Sequence, residues 1–230
     1  MKHYTLQNEQ DETARWELLT GGRISPETIQ KEIREARSKK YQSIIEMIPE
    51  RFADADIPSL GYIGDEVLGA LSGMFSPEEK PKALLLTGPA GCGKTYAMHA
   101  IMKWVADKDP EKCVFFSDYA TYMQRVRKEF ADDSYMEPGS WWDIVNNGDG
   151  VYPGVVMIDD VGSSKCSDFE AEKMLMLLEK RTAGYEPIIM STNLSVNEFR
   201  NAFGDRVASR LGYFRVIVFP DVDLRNVRPI

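Results

Sequence analysis

The chain has 230 residues, 43% of them apolar and 28% charged, the balance of a soluble globular protein with one α/β core and a small appendage. No apolar run reaches the length of a membrane span and the first residues lack a signal-peptide core, so no membrane partner is expected. A net charge of −8 excludes bulk electrostatic binding to nucleic acid but not a local basic stripe made on assembly, and three dispersed cysteines (Cys92, Cys113, Cys166) without C-x-x-C spacing exclude that kind of zinc site and fit reduced thiols in the cytoplasm.

The first twenty-odd residues are polar apart from Trp16-Glu17-Leu18-Leu19, and Gly21-Gly22 interrupts them. Ser25-Pro26-Glu27 then supplies an N-cap oxygen, a proline at the first helical position and an acid in the first turn. Ile29, Ile33, Ala36, Tyr41, Ile44 and Ile48 follow at helical spacing as far as Pro49, opposite a face of Lys31, Glu32, Arg34, Glu35, Arg37 and Lys39. Such a stripe either packs on the chain's own core or serves as a partner-binding arm. Residues 1–47 are therefore expected to form a helical N-terminal arm and residues 48–230 the main domain.

Five apolar runs read as strands: Ala83–Thr87, Cys113–Ser117, Gly154–Ile158, Pro187–Ser191 and Phe214–Phe219. Helical segments separate them, at Thr95–Met102, Tyr119–Phe130, Asp168–Arg181 and Val196–Phe203. Near-continuous apolar strands alternating with helices predict a three-layer α/β fold with a five-stranded parallel sheet covered on both faces.

The junction of the first strand and its helix carries the chemistry. Gly88-Pro89-Ala90-Gly91-Cys92-Gly93-Lys94-Thr95-Tyr96 contains G-x-x-x-x-G-K-T, the pattern of a P-loop. A glycine-rich loop there turns successive backbone N–H groups toward a phosphate chain at a helix N-terminus. Lys94 is then expected on the β- and γ-phosphates of ATP, and the Thr95 hydroxyl on Mg²⁺. The third strand ends in Asp159-Asp160. A carboxylate there is costly unless it faces a cation or a donor, which makes Asp159 the second metal residue and leaves Asp160 to orient or deprotonate the attacking water. Removing that side chain, as in Asp160→Ala, should abolish hydrolysis and spare ATP binding. Ser191-Thr192-Asn193 closes the fourth strand and offers an amide to the lytic water or the γ-phosphate. Arg206 and Arg210, four apart in Gly204-Asp205-Arg206-Val207-Ala208-Ser209-Arg210-Leu211, share a helix face. They are either surface ion-pair residues or guanidinium groups offered to a neighbouring subunit's nucleotide.

In this order and spacing, Walker A, Ile158-Asp159-Asp160, Ser191-Thr192-Asn193 and the arginine box resemble an AAA+ ATPase, and more narrowly the DnaC/IstB branch of helicase loaders and transposition ATPases. The lead-in Ile48-Pro49-Glu50-Arg51-Phe52 and the short stretch after the fifth strand, which leaves no C-terminal helical lid, are similar to that branch. The resemblance implies Asn193 as sensor 1, Arg210 as the trans finger with Arg206 as alternate, and Arg225 in place of sensor 2. It also implies self-association through ATP, a hexameric replicative DNA helicase held by the arm, and single-stranded DNA as a further partner. The rival within the branch is an IstB-like transposition ATPase that binds DNA and a transposase. A small-molecule P-loop kinase and a non-hydrolysing adaptor are the readings outside it. Aspartate at 160, where AAA+ proteins usually carry glutamate, fits slow turnover. Tyr119, Tyr122, Arg125, Arg127 and Lys128 form either a single-strand contact or an ordinary helix face, and Trp141-Trp142 either stacks bases or packs under the sheet.

Overall fold

The computed structural model describes residues 13–16, 18–19, 21, 23–76, 82–110, 114–132, 142, 145, 154–163, 166–184 and 186–224. Helix α1 (Pro26–Glu46) starts as its sequence dictates: Ser25 Oγ accepts the Thr28 N–H at 3.3 Å and Pro26 occupies the first position. Ile29, Ile33 and Ile44 are buried, whereas Ala36 is exposed. Ile44 belongs to the main core, and Tyr41 and Ile48 pack against it, so this end of α1 is anchored to the domain that follows. Two short 3₁₀ turns, Glu50–Phe52 and Pro58–Leu60, lead into α2 (Tyr62–Met74). The sequence reading passed over α2. Its buried Ile63, Val67, Ala70, Leu71 and Met74 do recur at helical spacing, but glycines at 64, 69 and 73 weaken the signal.

The rest alternates strand and helix: β1 (Ala83–Thr87), α3 (Lys94–Lys108), β2 (Val114–Asp118), α4 (Tyr119–Ala131), β3 (Val155–Val161), α5 (Asp168–Ala183), β4 (Ile188–Thr192), α6 (Val196–Arg210) and β5 (Phe214–Val218). The five strands form one parallel sheet in the order β2-β3-β4-β1-β5. Side chains alternate between its faces. Leu84 and Leu86 of β1 join α2, α3 and Ile44 in one core cluster, and Ala83 and Leu85 join α4, α5 and α6 in the other. Helix on sheet on helix is the expected three-layer arrangement. Among the described residues no α-helix follows β5, and none is long and apolar enough to cross a membrane.

Helix α6 is broken at Gly204, whose φ of 83° and ψ of 167° lie outside the helical region, so Arg206 and Arg210 sit together on the piece beyond the break. Trp142 is buried in the second cluster against Phe130, the packing alternative of the sequence reading, while Trp141 lies outside the described residues.

Between α3 and the lead-in, His99 is 2% exposed, stacked on Phe52 at 4.5 Å and set against Phe116 at 4.8 Å. Burial, with the charge of Arg51 as a lesser cause, lowers its pKa from 6.5 to about 4. The unfolded chain then takes up this proton before the folded one does. The stabilisation is complete above pH 6.5 and is lost progressively as the pH falls toward about 4. Urea unfolding of the wild type and of His99→Phe should therefore differ by a constant amount at neutral pH, and the difference should move in the variant's favour between pH 6.5 and 4. A difference that stays flat across that window would refute the assignment.

Candidate active site

Parallel strands all point their carboxyl ends one way, and the β1–β4 register sets Thr87 level with Thr192. The loop after β1 and the residue after β4 therefore emerge side by side. Within the loop, Gly88, Gly91 and Gly93 have φ of 148°, 83° and 99°. A side chain at Gly91 would be strained by the positive φ whatever space it found. The first backbone bond of α3 runs from the Ala97 N–H to the Gly93 carbonyl at 2.9 Å, which leaves the N–H groups of Lys94, Thr95 and Tyr96 ahead of it without an intrahelical acceptor. Lys94 is 7% exposed and its ammonium donates to the carbonyls of Gly88 at 2.8 Å and Pro89 at 2.7 Å, with Cys92 Sγ at 3.6 Å. A buried cation folded over a loop of oriented N–H groups suits a polyanion.

Strand β3 delivers the carboxylates through an irregularity. Ile158 pairs with Met190 and Val161 with Thr192, so Asp159 and Asp160 together face Ser191 across a β-bulge. Asp160 takes φ of 57°, the one positive φ at a non-glycine among the described residues. Asp159, 6% exposed, accepts the Thr95 hydroxyl on Oδ2 at 2.8 Å and the Ser191 hydroxyl on Oδ1. Ser191 Oγ also accepts the Asp160 N–H at 2.9 Å, and Asn193 Nδ2 donates to Asp160 Oδ1 at 2.8 Å. A threonine hydroxyl and a carboxylate in contact beside a phosphate-type loop are hard oxygen donors of the kind Mg²⁺ takes.

Other sequence-predicted residues fall elsewhere. The Tyr96 side chain faces away from the loop's purpose: its hydroxyl donates to the Asp54 carbonyl at 3.1 Å and accepts the Asp56 N–H at 3.3 Å, so only its backbone N–H remains for a ligand. Arg210 donates to Glu179 Oε1 at 2.7 Å. Arg206 is exposed and has no ion-pair partner among the described residues. Both precede β5, whose Phe214 is level with Ala83 at the start of β1, about 13 Å of strand from the loop end of the sheet. Arg225 lies outside the described residues. The single-strand alternative for α4 is corrected in its aromatic half: Tyr119 and Tyr122 are fully buried in the second core cluster, and Arg127 is bound to Glu170 at 2.9 Å. The apolar spacing that buries those tyrosines is also what placed them near the basic residues in sequence.

Two features escaped the sequence reading. Ser191 joins both aspartates, and the segment after β5 crosses the loop, with the Leu224 N–H donating to the Gly91 carbonyl at 3.0 Å. A polar residue inside an apolar strand was the available signal for the first; nothing in the composition marks the second.

The parallel sheet, loop and paired aspartates define a P-loop nucleotide-binding protein. Residues 8–211 match the IstB-like ATP binding protein family, and the chain belongs to that family. It is 24% identical over 151 residues to the uncharacterized protein YqaM of Bacillus subtilis (strain 168), a match that covers 62% of this chain and 45% of YqaM, less than half the length of that relative. Among solved structures it is similar to the DnaC helicase loader, with a TM-score of 0.62 at 20% identity over 75% of this chain and 100% of that one. It is also similar to DnaI (0.58, 16%, 76% and 93%) and to the replication initiator DnaA bound to AMPPCP and single-stranded DNA (0.58, 13%, 72% and 50%). These likenesses establish the fold.

The backbone at Asp160 makes a stability prediction separate from chemistry. Left-handed geometry costs an ordinary L-residue about 1–2 kcal/mol, and asparagine escapes much of that. Asp160→Ala should therefore unfold in urea with about 1 kcal/mol less stability than Asp160→Asn, which makes the asparagine variant the cleaner probe of turnover. Equal stabilities would show that the residue is not held at positive φ.

Proposed function

We propose that this chain is an ATPase that binds a hexameric replicative helicase and delivers it to single-stranded DNA, with hydrolysis driving release. The observation that carries the enzymatic part is the bulge: it sets Asp159 against Thr95 and Asp160 against Asn193 at the mouth of the P-loop. The N–H groups of the loop and Lys94 would hold the triphosphate, with Lys94 exchanging two backbone carbonyls for phosphate oxygens. Thr95 and Asp159 would hold Mg²⁺, which neutralises charge on the β- and γ-phosphates when bound. Asp160 would take a proton from the attacking water while Asn193 fixes the orientation of its carboxylate.

Arg210 or Arg206 would complete the site of a neighbouring subunit. Their place on α6 just before β5, whose first residue is level with the start of β1 and not with its loop end, supports this. DNA contact, if carried by α4, rests on exposed Arg125 and Lys128 rather than on stacking. The helicase partner is inferred from the likeness to the DnaC helicase loader, which spans all of that chain. For the arm, exposed Trp16, Leu18 and Leu19 (45%, 84% and 73%) are the residues proposed to touch the helicase.

A mixing experiment tests the assembly. Asp160→Asn and Arg210→Ala should each lose turnover by about 10³-fold or more while binding ATP normally. Mixed together they should regain activity, since the second supplies the aspartate and the first the arginine to one shared interface. If the mixture stays inactive and the same pairing with Arg206→Ala recovers, Arg206 is the finger; if neither recovers, the arginines do not act in trans.

The partner is tested by light scattering after size exclusion with the replicative helicase of the source cell and ATP·Mg²⁺. A complex that disappears in the Leu18→Ala/Leu19→Ala variant, whose melting temperature should be unchanged, is the expected result. No complex with the wild type would direct the proposal to the transposition ATPase, with a transposase as partner.

A further inference from the structure

Ser191 is 1% exposed, lies in the middle layer of the fold and touches both aspartates. A hydroxyl has one proton to donate and two lone pairs. The Asp160 backbone N–H can only donate, so it occupies a lone pair of Ser191, and the hydroxyl proton goes to Asp159 Oδ1. One rotor setting satisfies both neighbours. The same bond closes the bulge: the extra residue in β3 has no ladder partner on β4, and the Ser191 side chain takes its N–H in place of a carbonyl.

We propose that Ser191 is a positioning residue that sets both carboxylates of the site through one hydroxyl. It occupies Asp159 Oδ1, so that Oδ2 turns to Thr95, and it pins the Asp160 backbone in the left-handed conformation that presents its carboxylate to Asn193. This rests on the nucleotide reading for its functional consequence but not for its structural one. Ser191→Ala leaves the Asp159 carboxyl anchored by Thr95 alone and the Asp160 N–H without an acceptor. Ser191→Thr keeps the hydroxyl and suits a strand.

Three measurements on the full chain test it. Amide exchange of Asp160, read by NMR without nucleotide, should accelerate at least about tenfold in Ser191→Ala and stay protected in Ser191→Thr, the size expected for loss of one buried bond. The affinity for a fluorescent ATP analogue should be unchanged in EDTA, while the tightening that Mg²⁺ produces should shrink severalfold in Ser191→Ala and return in Ser191→Thr. Turnover at saturating ATP should fall about tenfold or more in the alanine variant and recover in threonine, as for a misplaced catalytic group. A purely structural serine would lower the melting temperature without moving the Mg²⁺ dependence, and that result would overturn the proposal. So would an Asp160 amide equally protected in both variants. A wild type that binds no nucleotide would instead refute the nucleotide reading, while the exchange result still decides whether Ser191 clamps the bulge.

Discussion

One residue too many in β3 sets the geometry of this site. Had β3 and β4 stayed in register, Asp159 and Asp160 would point to opposite faces of the sheet, one of them into a helix-covered core where a carboxylate is costly. The bulge places both against Ser191 and at the edge where the P-loop emerges. The left-handed backbone of Asp160, which a short polar side chain tolerates better than other residues do, is held by its N–H bond to Ser191 and by the bond its carboxylate accepts from Asn193. Local distortion and chemistry thus have the same origin.

The strand order makes that edge useful. With β4 between β1 and β3, the P-loop, Asn193 and the aspartates lie in sequence along one rim. Their support is tertiary. Tyr96 and Lys103 tie α3 to the backbone of Asp54, Asp56 and Ala53, and the Phe52–His99–Phe116 stack fills the space beneath. The lead-in therefore braces the helix whose N-terminus faces the ligand position. From the other side Leu224 is hydrogen-bonded to Gly91, so both flanks of the sheet's chain path converge on one loop.

Much of this was legible in the sequence because its signals are local. Apolar runs of strand length identified all five strands, and the Ser25-Pro26 start of α1 is a matter of neighbouring residues. The boxes Ser167/Glu170 and Ser195/Glu198, which begin α5 and α6, were equally readable and went unused. What stayed hidden depends on pairing. The bulge is a relation between β3 and β4, invisible in either alone. Helix α2 is hidden because glycines at 64, 69 and 73 interrupt its helical spacing, and α4's tyrosines suggest a surface role because basic neighbours flank them while their spacing faces the core. Tyr96 shows the same limit: adjacency to the P-loop is a property of the sequence, but the direction of its side chain is set by a segment some forty residues earlier.

The arginines raise a different question, since a guanidinium already paired within its own chain must be released before it can serve another. Arg210 and Glu179 are 33% and 40% exposed at their side chains, and water screens a pair so open to it. A triphosphate at a subunit interface, where water is excluded, offers more charge in a lower dielectric, and each interaction there strengthens accordingly. Glu179 is therefore too weak a partner to lock Arg210 away. It does restrict the guanidinium to one side of α6 in the separate chain, reducing the side-chain freedom that docking would otherwise remove. Arg206 has no such restraint among the described residues, so it keeps its full rotamer entropy until a partner arrives. In the proposed assembly the two arginines differ less in charge than in preparation, and that difference favours Arg210 for the interface that must recognise the nucleotide repeatedly and reversibly.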